Sequence, residues 1–136
     1  MIGLVIVTHG RLAKELRLAA EHVVGPMAQM ETVCIGPDDD LEQARDGIRA
    51  AIKSVDTGRG VVLLTDMFGG TPSNLAISLL EQENIEVVAG ANLPMMIKLY
   101  EARETESPAE AARTAKKAGR RYIAIASEII AGEVED

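Results

Sequence analysis

The sequence predicts an α/β fold: a doubly wound, mainly parallel sheet in the order 2-1-3-4 with helices on both faces. Three observations predict it. Short runs rich in Val, Ile and Leu alternate along the chain with segments of helical spacing, the βαβ rhythm of a parallel sheet. The first run, residues 2–7, is apolar without interruption, as in a strand buried on both faces. Right-handed crossovers then restrict how four such strands can be wound.

The elements follow in order. Residues 11–24 carry Leu12, Leu16, Ala19, Ala20 and Val23 at helical spacing, and Gly25-Pro26 stops them. Residues 30–35 read as a second strand. After the Gly36-Pro37 turn, Asp40 with Gln43 three residues on predicts a capping box for a helix to about residue 54. Asp56-Thr57-Gly58 breaks the chain before the third strand, residues 60–65. The third helix is expected to take Thr71 as N-cap and Pro72 at its first position, and to run through Leu75, Leu79 and Leu80 to about residue 82. Residues 85–89 form the fourth strand, and a short helix starts at Pro94 with Met95, Met96 and Leu99 inward. Ser107-Pro108-Ala109-Glu110 is a second capping box, opening an alanine-rich helix that Gly119 is expected to close. Residues 122–126 are expected to form a fifth strand, at a sheet edge or an interface. The acidic residues 128–136 are expected to form a tail.

Composition narrows the function. A chain of 136 residues, 47% hydrophobic and 26% charged, fits one domain with an ordinary core. A net charge of −7 argues against nucleic acid as a partner. Phe68, Tyr100 and Tyr122 are the aromatic residues, too few for stacking bases or sugar rings. Cys34 is the single cysteine, which rules out an intrachain disulfide and a Cys-rich metal site; in its apolar strand it is expected to be inert. No apolar run approaches the roughly 20 residues that span a bilayer, and a cytoplasmic location is expected. No metal and no cofactor are expected: the chain has neither a P-loop lysine motif nor a complete dinucleotide fingerprint.

The chemistry is expected where strands one and three end. In the order 2-1-3-4 the winding reverses between these strands, so their carboxyl ends open the ligand crevice. The first ends on Thr8-His9-Gly10 and the third on Asp66-Met67-Phe68-Gly69-Gly70-Thr71-Pro72. Adjacent strands lie about 4.8 Å apart, so His9 and Asp66 can touch. Such a pair suits a nucleophilic histidine that accepts a phosphoryl group. One ring nitrogen attacks, while the carboxylate fixes the tautomer and compensates the charge that forms. The Gly69-Gly70-Thr71 turn, the Thr71 hydroxyl and the backbone N–H groups of Thr71 and Ser73 would hold the phosphoryl oxygens at a helix start. Thr8, Gly10, Phe68, Asn92 and Pro94 complete the expected crevice. His22 reads as a helix-surface residue, Asp38-Asp39-Asp40 as a solvated helix start, and Met95-Met96 as packing. With no device for taking phosphate from ATP, the donor is expected to be a protein.

Three motifs in order resemble the mannose-family enzyme IIA domain of the bacterial phosphoenolpyruvate-dependent sugar phosphotransferase system. They are Val7-Thr8-His9-Gly10, Asp66-Met67-Phe68-Gly69-Gly70-Thr71-Pro72-Ser73-Asn74 and Ala89-Gly90-Ala91-Asn92-Leu93-Pro94-Met95. The resemblance covers residues 1–127 as one domain. It implies phosphorylation of His9 on Nε2, with Asp66 bonded to Nδ1. It also implies an HPr-type phosphocarrier as donor, a IIB component as acceptor, and a membrane connection only through separate permease subunits. Homodimers that exchange a C-terminal antiparallel strand are implied too, residues 122–126 being the matching segment. Phe68 stands where many relatives have Trp, and Thr71 where they have Ser. No linker or fused IIB domain follows, so a free-standing IIA is expected. Two alternatives stay open: a regulatory binding module switched by His9 phosphorylation without onward transfer, and a subunit feeding dihydroxyacetone kinase. A flavodoxin-like cofactor binder fits the fold but lacks ring-stacking residues.

Overall fold

A computed structural model describes residues 1–82 and 84–132. The chain runs β1 (Gly3–His9), α1 (Leu12–Val24), β2 (Met30–Ile35), α2 (Leu41–Val55), β3 (Val61–Thr65), α3 (Thr71–Ile77), β4 (Ile85–Ala89), α4 (Leu93–Ala102), α5 (Pro108–Arg121) and α6 (Ala126–Ile130). The four strands pair in parallel in the order β2-β1-β3-β4, as the apolar runs and the crossover rule predict.

Alternation along the central strands builds two cores. Leu4, Ile6, Val62 and Leu64 face one side, where Ala13 and Ala20 of α1, Met95, Met96 and Leu99 of α4, and Ala111 and Ala115 of α5 pack on them. Val5, Val7, Val61 and Leu63 face the other side, under Ile48 and Ile52 of α2 and Leu75 and Ala76 of α3. Each large side chain so buried contributes about 1.5–3 kcal/mol. That burial, rather than helix propensity, fixes the layers. Crossover α1 covers one face, and α2 and α3 cover the other, so the winding changes face between β1 and β3.

Several local expectations need correction. In α1, Ala13 and Ala20 are buried, whereas Leu12 and Val23 are exposed, because small alanines let the helix lie close to the sheet. Asp40 does cap α2, accepting from the Glu42 N–H at 3.2 Å; Gln43 makes no return bond of a capping box. The N-cap of α3 is Gly70, one residue before the expected Thr71, and the α-helix ends at Ile77 instead of near residue 82. There Ser78 Oγ donates to the Leu75 carbonyl at 2.6 Å, and i→i+3 bonds tighten the chain through Leu80. Asn92 caps α4, so that helix begins at Leu93. Ser107 and Glu110 form the predicted capping box of α5, but Gly119 lies inside that helix, which continues to Arg121.

The fifth strand is not formed within the single chain. Residues 122–125 pair with no strand among the described residues, and Ala126 begins α6 instead. A strand requires a hydrogen-bonded neighbour, and this segment reaches none among the described residues. Tyr122, Ile123, Ile125, Ile129 and Ile130 are left exposed. The end of the expected acidic tail, residues 133–136, lies outside the described residues.

Candidate active site

The β1–β3 ladder ends with Val7 opposite Thr65. Beyond it the chains part: β1 continues to His9 beside Ile35 of β2, while β3 turns into the loop that leads to α3. The change of winding falls at this gap, the position where open α/β sheets bind ligands. His9 and Asp66 stand on its two sides.

Their contact is direct. Asp66 Oδ2 accepts from the His9 backbone N–H at 3.0 Å and lies 2.7 Å from ring Nδ1. Asp66 Oδ1 accepts from the Met67 N–H at 3.1 Å. An ionised carboxylate can only accept, so Nδ1 carries the shared proton, and Nε2 of a neutral ring keeps its lone pair. The carboxyl is 12% exposed and the imidazole 51%, so the carboxylate is sheltered and the ring is open to solvent. Burial alone would raise the Asp66 pKa, but the hydrogen bonds from the His9 backbone and ring, with the attraction of the ring, outweigh it. The carboxyl is held below its ordinary value.

His9 shares a hollow of about 170 Å³ with Thr71 and with Ile35, Gly36, Pro37, Asp39 and Leu41 from the end of β2 and the start of α2. This third wall was missed in the sequence, although the order 2-1-3-4 already places the end of strand two beside His9. Asp39 holds the wall's turn, its Oδ2 accepting from the Gly36 N–H at 2.8 Å. The first backbone bond of α3 runs from the Asn74 N–H to the Gly70 carbonyl at 2.9 Å. The N–H groups of Thr71 and Ser73 precede that bond and have no partner inside the helix.

The remaining expected residues scatter. Gly10 ties β1 to β2, its N–H donating to the Ile35 carbonyl at 2.9 Å. Thr8 lies off the crevice: it is fully buried and its Oγ1 accepts from the Ala13 N–H at 2.6 Å, holding the start of α1. Ser73 is also fully buried, main chain included, and its Oγ has no hydrogen-bond partner among the described residues, so the expected phosphate-binding role of Ser73 is not supported; of this pair only Thr71 reaches the hollow. Asn92 accepts from the Met95 N–H and donates to the Gly119 carbonyl, each at 3.0 Å. It lines a groove of about 660 Å³ with Phe68, the β4 edge and α5, apart from the His9 hollow. Pro94 faces a third pocket beside Tyr122. Cys34, expected inside an apolar strand, is exposed on the outer strand β2. Among the described residues no group of three or more His, Cys, Asp or Glu is placed to hold a metal ion, and no helix is long and apolar enough to cross a membrane.

A sequence profile of the EIIA-man family, described as the phosphotransferase-system (PTS) fructose IIA component, matches residues 3–116. The PTS mannose-specific EIIAB component of Escherichia coli (strain K12) is 33% identical over 106 residues, which are 77% of this chain and 33% of that protein. The chain thus matches about a third of that relative's length. The PTS fructose-specific EIIA component of Bacillus subtilis (strain 168) is 28% identical over 105 residues, 76% of this chain and 72% of the relative. In fold, the crystal structure of phosphotransferase system component EIIA from Streptococcus agalactiae is similar with a TM-score of 0.85 at 22% identity, over 93% of this chain and 98% of that one.

Proposed function

The chain belongs to the EIIA-man family of phosphotransferase-system components, and on that premise we propose that it is a phosphohistidine carrier with His9 as the acceptor. The observation that carries this reading is the 2.7 Å contact between His9 Nδ1 and Asp66 Oδ2 beneath an open ring. In the proposed step the Nε2 lone pair attacks the phosphorus of a phosphohistidine on an HPr-type carrier. The P–N bond of the donor breaks, and its ring nitrogen keeps the electron pair. The His9 ring becomes positive while Nδ1 retains its proton, and Asp66 compensates that charge without taking the proton. The backbone of Gly69 and Gly70, the N–H group of Thr71 and the Thr71 hydroxyl hold the phosphoryl oxygens. Positioning of this kind is most of what phosphoryl transfer asks of a protein. The reverse step passes the group to a IIB component, for sugar uptake or a regulatory relay.

A protein donor suits the surroundings of His9. Leu12, Leu41, Met67 and Phe68 are exposed on the segments that carry or flank His9 and Asp66. A set of exposed apolar side chains around a polar reacting group is the composition of a protein-docking patch. We also propose a homodimer. Among the described residues strand β4 pairs on one side only, and its other edge lines the groove with Val87, Val88 and Ala89 beside Arg113, Lys116 and Arg120 of α5. The unpaired apolar segment 122–126 of a second copy, leading into an acidic end, fits that edge in pattern and charge.

The test is phosphoryl transfer from phosphoenolpyruvate through enzyme I and HPr, read by intact mass. The wild type should gain one acid-labile phosphate of about 80 Da, and His9→Ala should gain none. No gain by a folded wild type in the presence of HPr would refute the reading. Phosphorylation without discharge to any IIB protein would favour the regulatory module.

A further inference from the structure

Neighbouring glycines in the loop after Asp66 are present for opposite reasons. Gly69 has φ +94°, and a side chain there would meet nothing within 4 Å, so its need is conformational. Gly70 has φ −89° and ψ 171°, an extended geometry open to any residue. A Cβ on Gly70 would nevertheless lie 2.7 Å from His9 Cε1 and 3.1 Å from His9 Nε2. With the His9 ring where it stands, there is no room for a side chain at 70, and the space that glycine leaves is taken by the Cε1–Nε2 edge of the imidazole.

The ring is thus held from two sides. Asp66 grips Nδ1 at 2.7 Å, and the Cε1–Nε2 edge fills the place a side chain on Gly70 would take. We propose that Gly70 is a positioning residue for His9: its missing side chain sets the ring orientation in which the Asp66 bond and access to Nε2 coexist. A methyl group at 70 leaves two ways to relieve the clash. The half-exposed ring swings outward and draws Nδ1 off Oδ2, or the loop retreats and takes with it the Thr71 N–H that follows. Either movement spoils a reaction that depends on placement, where a displacement near 1 Å costs about 100-fold. The inference rests on the phosphoryl-acceptor reading for its consequence, though its geometric part stands apart from it.

Gly70→Ala tests it in three measurements. Transfer to His9 should fall about 100-fold. The nitrogen resonances of the His9 ring should move away from the hydrogen-bonded, Nδ1-protonated pattern of the wild type, a change that a merely structural role elsewhere would not produce. Any loss of thermal stability should vanish in the His9→Ala background, since the atoms that clash are then gone. This comparison holds even if Gly70→Ala folds poorly on its own. A Gly70→Ala protein with wild-type transfer and unchanged ring resonances would overturn the proposal, as would equal destabilisation in both backgrounds. A wild type that accepts no phosphoryl group would sink the acceptor reading, while the resonances and the double-variant comparison would still decide the role of Gly70.

Discussion

A carboxylate oxygen that receives two N–H groups from one residue fixes that residue's backbone and its ring together. Asp66 Oδ2 does this for His9, and Oδ1 is tied in turn to Met67. The arrangement costs some desolvation of Asp66, which the bonds from His9 more than offset, so its folded-state pKa lies below the ordinary one. A depressed carboxylate pKa stabilises the fold above the unfolded value and ceases to do so as pH falls through the folded one. Asp66→Asn should therefore be less stable than the wild type at neutral pH. Chemical denaturation should show that gap holding down to about pH 4, the ordinary Asp range, and closing below it. A gap constant to strongly acid pH would mean that the charge of Asp66 does not matter to the fold. The same substitution replaces an acceptor by an amide that can stabilise the wrong tautomer, and should slow transfer to His9 by about 10² to 10⁴.

At the scale of elements, the open question is what covers the β4 edge. If a second copy's segment does, a chain truncated after Arg121 should sediment as a monomer where the full chain sediments as a dimer, with Asp66 and His9 untouched. Equal masses for the two forms would exclude that segment as the dimer contact. The same segment marks where the sequence stopped being legible. Strands β1 to β4 could be read because each is an apolar run fixed by its own burial, and the crossover rule ordered them. Residues 122–126 have the composition of a strand, yet a strand needs a neighbour to pair with, and among the described residues they have none. Small shifts had local causes: Gly70 in place of Thr71 as cap of α3, and Ser78 and i→i+3 bonds in place of a longer helix. Within the site, the pairing of His9 with Asp66 followed from topology alone. Thr8, Asn92 and Pro94 were expected in the crevice because they are near strand ends in sequence. Which way a side chain points there depends on the pleat and on caps, and these send Thr8 into α1 and engage Asn92 in capping α4.

For the molecule as a whole, one topological fact organises the account. A sheet wound in the order β2-β1-β3-β4 opens between β1 and β3, and the open end carries a histidine, its carboxylate, Thr71 at the start of α3 and a patch of exposed apolar side chains. The whole chain carries a net charge of −7. A phosphate of about −1.5 to −2 on His9 would add charge to that end of an already acidic protein, so phosphorylated and free forms should present different surfaces to a partner. The central claim is that Asp66 reserves Nδ1 and leaves Nε2 to react. Its most direct measurement is nitrogen and phosphorus NMR of the phosphorylated, isotopically labelled protein. A single phosphohistidine is expected at His9, with phosphorus bonded to Nε2 and the proton retained on Nδ1. Phosphorus on Nδ1, or on any residue other than His9, would contradict it.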